Sequence, residues 1–159
     1  MKVECSPARC LILACGNTLR NDDGVGPSLA EWAEERFERN SSVRVIARTQ
    51  WTPDLAEEIA AAESVLFVDS SVDSQPGRVD FFPVIPKAIN GGSATHFLDA
   101  SQLLSLTHNL YESMPAHAMQ LTVGAGSTEL GESFSDEVEA ALPRARGVIE
   151  KAVFRFLQN

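Results

Sequence analysis

Cysteine is scarce in this chain. Cys5, Cys10 and Cys15 are three in 159 residues, an odd number spaced five apart without a C-x-x-C pair, which speaks against a disulfide framework. Basic residues are also few, 13 against 22 acidic, and the resulting net charge of -9 repels a phosphate backbone, so nucleic acid is not an expected partner. No stretch approaches the roughly 18 to 20 uninterrupted apolar residues of a membrane span, and the short apolar run in MKVECSPARCLILAC reads as a strand. A soluble, cytoplasmic protein is expected. Familiar hydrolase machinery is missing as well: there is no G-x-S-x-G elbow, no H-E-x-x-H helix, no cysteine-protease signature, and the Asp-Gly pattern lacks the spacing of a calcium loop. What remains is a chain 44% apolar, enough for one domain over residues 1–159 to bury a core without staples.

Short apolar runs alternate with helical patterns. CLILAC, Cys10 to Cys15, is apolar on both faces, as expected of a central strand, with Cys10 and Cys15 on opposite faces and packed as small hydrophobes. Val25, Leu29, Trp32, Ala33 and Phe37 recur at helical spacing, with Pro27 tolerable in the first turn. VRVIA at 43–47 reads as a strand; Thr52 and Pro53 supply an N-cap and first position for a helix through DLAEEIAAA. SVLFV at 64–68 reads as a buried strand that stops at Asp69 in a polar turn, and Val79 to Val84 as an edge strand. Residues 86–95, PKAINGGSAT, have the content of a mobile loop. Asp99 caps a helix through roughly Asn109, Ala118 to Val123 forms a further strand, and Ser135 opens a final helix that Pro143 should kink or divide. This order predicts a three-layer α/β/α sandwich around a mostly parallel, twisted sheet of about five strands.

Ligands in such sheets bind outside the carboxyl ends of strands, where the Gly16–Gly24 loop and Asp69 both fall. The loop carries Asp22 and Asp23 and only Arg20, so it suits a cation better than a phosphate, although one aspartate can serve simply as a helix cap. Asp69 follows four apolar residues, where an acid either makes a turn with Ser70 and Ser71 or binds something. His96 ends the glycine-containing loop and is the histidine placed to reach across a cleft; His108, near a helix C-terminus, and His117, at a strand start, read as structural. Asp23, Asp69 and His96 would give an O, O, N donor set suited to nickel, zinc or iron with open positions that a partner protein could fill.

LILACGNTLRNDDGVGP resembles the opening motif of the hydrogenase maturation endopeptidases, a strand followed by glycines, an asparagine and an acidic pair before G-x-G. TQWTPDLAEEIAAAESVLFVDSS, THFLDASQLLSL, LYESMPAHAMQLTVGAG and GESFSDEVEAAL continue the likeness in order, over about residues 10 to 157. The chain departs from the pattern at Ala14, where a glycine is usual, at Cys15, which could add a soft ligand, and at Trp51, where leucine is common. The resemblance implies an endopeptidase that removes the C-terminal extension of a nickel-iron hydrogenase large-subunit precursor after nickel insertion. It carries metal contact and catalysis to Asp23, Asp69 and His96, with the nickel ion supplied by the substrate protein. A monomer is expected, and three ligands with open positions should hold metal only weakly in the isolated protein. The rivals are a nickel chaperone or checkpoint protein that binds the precursor without cutting it, and a small-molecule enzyme on a flavodoxin-like or nucleoside-phosphorylase-like sheet.

Overall fold

The chain's structure is a computed structural model that describes residues 8–88 and 97–159. Five strands form one sheet in the order β2-β1-β3-β5-β4: β1 (Cys10–Cys15), β2 (Val43–Arg48), β3 (Ser64–Ser71), β4 (Val79–Pro83) and β5 (His117–Gly124). The first three and β5 run parallel, and β4 is antiparallel on the edge. Alternation along each strand divides the core. Cys10, Ile12 and Ala14 of β1, Leu66 and Val68 of β3, and Leu121 and Val123 of β5 face α1 (Val25–Arg36) and α4 (Asp136–Gln158). Leu11 and Leu13, with Val65 and Phe67, face α2 (Leu55–Ala60) and α3 (Ala100–Tyr111). The architecture is therefore the expected single-domain α/β/α sandwich, with Cys10 and Cys15 on opposite faces of β1.

Because β2 lies on one side of β1 and β3 on the other, the chain leaves the carboxyl end of β1 at the point where strand order reverses. Such a switch point opens a crevice between neighbouring strand ends. Two glycines let the chain turn tightly there. A Cβ on Gly16, whose φ is +151°, would stand 2.0 Å from the Asp23 carbonyl oxygen, and one on Gly26 would stand 2.1 Å from that of Cys15. The loop thus folds back onto itself while α1 abuts the end of β1.

Three local expectations change. β3 does not stop at Asp69 but continues to Ser71, because β5 goes on supplying backbone partners as far as Gly124 after the pairing with β1 has ended at Val68. Thr52 does not cap α2: its hydroxyl bonds the Asp54 side chain, and the helix begins at Leu55 after a turn in which the Leu55 amide donates to the Thr52 carbonyl. Pro143 neither divides nor ends α4, which runs unbroken for 23 residues. Val138, Ala141, Ala145, Ile149, Val153 and Phe156 form one buried stripe on both sides of the proline, and tertiary burial of that stripe outweighs one missing backbone bond. Pro143 and Glu139, whose carbonyl loses its donor, are both exposed, so the carbonyl is open to solvent.

Pro143→Ala should therefore stabilise the protein. The expected gain is about 1 to 3 kcal/mol, read as a higher urea midpoint at unchanged slope; an unchanged or lower midpoint would show that the missing bond costs nothing here.

Candidate active site at the β1–β3 crevice

The two adjacent aspartates after β1 do different things. Asp22 is completely buried in the 3-10 turn Asn21–Gly24. The amides of Gly126 and Ser127 donate to its Oδ2 at 2.7 and 3.1 Å, and the Ser135 amide and hydroxyl donate to Oδ1 and Oδ2, both at 2.7 Å. Burial alone would raise the Asp22 pKa, but these donors together hold it below the ordinary carboxylate range. Neither aspartate caps α1, whose N-cap is Gly24 without a side-chain bond. Asp22 instead fixes the start of α4, because Ser135, while donating to it, accepts from the Val138 amide as that helix's N-cap.

Asp23 faces the crevice. Its Oδ2 accepts from the Asn17 amide at 2.8 Å, and its Oδ1 accepts from the Ser70 hydroxyl at 2.9 Å, so a residue of β3 holds a carboxylate of the β1 loop. Asp69 is half-buried beside it, with Oδ1 accepting from the Ser70 amide at 2.8 Å. Burial pushes the Asp69 pKa up to about 7, the Ser70 amide offsets part of that, and the nearby Asp23 charge adds to the rise. Among the described residues no lysine, arginine or histidine makes an ion pair with either carboxylate. The crevice thus gathers two acids whose donors are all neutral.

Cys15 stands on the same rim. Its thiol donates to the Thr49 carbonyl at 3.4 Å, and burial first, then Asp69 and Asp23, push its pKa up to about 12. A thiol held protonated in this way is a poor nucleophile. Trp51, buried where the sequence pattern favoured leucine, packs edge-on against Phe67 with centroids 5.2 Å apart beneath this rim.

The structure brings together Asp23 and Asp69 of the three sequence candidates; His96 and most of the loop before it lie outside the described residues. The other two histidines sit where expected. His108 is in the last turn of α3, and His117 opens β5 with its ring stacked on Phe156 at 6.0 Å. Asp99 caps α3 in a reciprocal capping box with Gln102. Ser70 and Asn17 are the site residues whose roles sequence reasoning missed. No motif pairs Ser70 with Asp23, 47 residues away.

The two perturbed carboxyls predict opposite pH dependences. Asp69 has a folded pKa above its unfolded value of 3.8, so its contribution to stability is full below that value and is lost as pH rises through about 7. Asp22 has a depressed folded pKa, so its contribution is present above 3.8 and is lost as pH falls. Thermal melts should show Asp69→Asn more stable than the wild type by several degrees at about pH 8, with the gain shrinking toward about pH 4. Asp22→Asn should be less stable by roughly 2 to 4 kcal/mol near neutrality. A pH-independent Asp69→Asn difference would contradict the assignment.

No family model matches the chain, and no curated protein sequence does. Solved structures do. The hydrogenase maturating endopeptidase HybD from Escherichia coli superposes with a TM-score of 0.74 at 20% identity, covering 92% of this chain and 93% of that one. The [NiFe] hydrogenase maturation protease HybD from Thermococcus kodakarensis is 26% identical, with a TM-score of 0.68 and coverages of 91% and 98%. HycI, a [NiFe] hydrogenase maturation protease from the same organism, is 24% identical over 96% and 94%, with a TM-score of 0.66. This chain thus shares its fold, over nearly its whole length, with solved hydrogenase maturation proteases.

Proposed function

We propose that this protein is an endopeptidase that removes the C-terminal extension of a nickel-iron hydrogenase large-subunit precursor, and that Asp23, Asp69 and His96 engage nickel carried by that substrate. The observation that carries the reading is the pair of carboxylates at the crevice, held only by neutral donors. Burial first, and the neighbouring Asp23 charge after it, penalise the ionised form of Asp69, whose pKa rises to about 7. A divalent cation between them reverses that balance, displacing the proton and drawing both carboxylates into ionised ligands. Two oxygen donors alone make an incomplete site, in keeping with a metal whose other ligands belong to the substrate.

The rim suits a macromolecule. Leu19, Val72 and Leu130, exposed to 57, 71 and 79%, sit on the loops that leave the carboxyl ends of β1, β3 and β5, the end of the sheet that carries the crevice. Exposed apolar side chains next to a site are a cost unless something covers them, and a protein substrate would. With nickel seated at the carboxylates, the adjacent peptide bond is held in one orientation, and the metal can polarise its carbonyl or activate a water for attack. Hydrolysis then adds water across that bond, giving a new carboxylate on the large subunit and a free amine on the extension. Cys15, protonated and bonded to Thr49, is not the nucleophile in this scheme.

The test is a cleavage assay with hydrogenase large-subunit precursors, each prepared with and without nickel. The wild type should shorten only a loaded precursor, and Asp23→Ala, Asp69→Ala and His96→Ala should each lose at least about 100-fold in kcat/KM. Undiminished cleavage by both aspartate variants would refute the assigned site. Tight binding of every loaded precursor without shortening would instead identify a chaperone.

A further inference from the structure

We propose that Ser70 is a positioning residue that ties the two carboxylates of the site to each other, its hydroxyl fixing Asp23 while its backbone amide fixes Asp69. The role rests on the processing reaction proposed above and adds a residue to its machinery. Successive residues of a strand point to opposite faces of a sheet. Leu66 and Val68 pack on the α1 and α4 side, whereas Val65 and Phe67 pack on the α2 and α3 side. Ser70 therefore follows Val68 toward the face of α1, which the turn carrying Asp23 leads into, and Asp69 follows Phe67 to the other face. One residue at the end of β3 thus reaches both carboxylates across the sheet's rim, by Oγ to Asp23 at 2.9 Å and by its own amide to Asp69 at 2.8 Å.

The bond from Ser70 to Asp23 is, among the described residues, the one side-chain hydrogen bond that joins the β1 loop to β3. With the Asn17 amide on Oδ2 and the Ser70 hydroxyl on Oδ1, the Asp23 carboxylate is held at both oxygens from opposite sides of the crevice. Removing the hydroxyl leaves it held from its own loop alone, free to turn about its Cβ–Cγ bond. The hydroxyl's chemistry also matters. It orients the carboxylate without adding the positive charge that a lysine or arginine would bring, so the attraction for a cation is kept. A carboxylate fixed at both oxygens meets an incoming metal without first being ordered, and misplacement by about an ångström can cost on the order of 100-fold in rate.

The experiment compares wild type, Ser70→Ala, Ser70→Thr and Asp23→Ala in two readouts. In processing of a nickel-loaded precursor, Ser70→Ala should lower kcat by roughly 10- to 100-fold with KM within about twofold, and Ser70→Thr, which keeps the hydroxyl, should remain within about threefold of wild type. In amide hydrogen exchange, which needs no substrate, Ser70→Ala should speed exchange at Asn17 by about tenfold or more while Val65 to Val68 stay protected. A Ser70→Ala enzyme with wild-type kcat beside an inactive Asp23→Ala overturns the positioning role and leaves the function standing. An active Asp23→Ala refutes the site assignment itself. Unchanged exchange at Asn17, or an equal loss of protection throughout the chain, overturns the positioning role whether or not processing occurs.

Discussion

Two carboxylates cannot share a partly buried crevice at no cost, and the structure around β1 and β3 is arranged to keep them there. Asp23 and Asp69 come from separate elements, each is fixed by neutral donors, and burial, with the Asp23 charge adding to it, raises the Asp69 pKa to about 7. A fold that needed only stability would place a lysine or arginine against such a pair, or separate the acids. Leaving the charge uncompensated retains an attraction that a metal ion can satisfy later, in the manner of sites where function is held at the expense of stability.

The third acid of the region makes this arrangement possible. Asp22, next in sequence to Asp23, is as fully satisfied as Asp23 and Asp69 are not, with four donors from residues 126, 127 and 135. It anchors the β1 loop to the loop after β5 and to the first turn of α4, so that the backbone presenting Asp23 is stiff even though its side chain faces an open crevice. Gly16 and Gly26 serve the same end by allowing backbone approaches that any side chain would block. A rigid scaffold with a polar side chain at its tip is the general condition for a precise site.

Much of this was legible in the sequence, for physical reasons that are local. The run CLILAC could only be a strand buried on both faces, the spacing from Val25 to Phe37 gave α1, and Asp99 stood where a helix cap belongs, at the start of α3. The likeness of LILACGNTLRNDDGVGP to one protein family correctly anticipated a fold that solved structures then matched. What was not legible depends on distant partners. Nothing in NDDG tells which aspartate will be buried, because the donors to Asp22 lie more than 100 residues on. Ser70 looked like part of a turn because DSSVDS is polar, yet β5 keeps the segment extended and aims the hydroxyl at Asp23. Pro143 breaks a helix by local rules and fails to do so here because the buried stripe on either side of it is continuous.

The proposed reaction requires a metal carried by another protein to reach Asp23 and Asp69. Nickel K-edge X-ray absorption addresses that contact without relying on turnover, using a nickel-loaded precursor with a junction that cannot be cut, alone and mixed with this protein. Mixing should add oxygen or nitrogen neighbours at about 2.0 to 2.2 Å from nickel, and the Asp23→Ala, Asp69→Ala double variant should not add them. A nickel coordination shell that is the same with and without the wild-type protein, in a mixture shown to be bound, would contradict the claim.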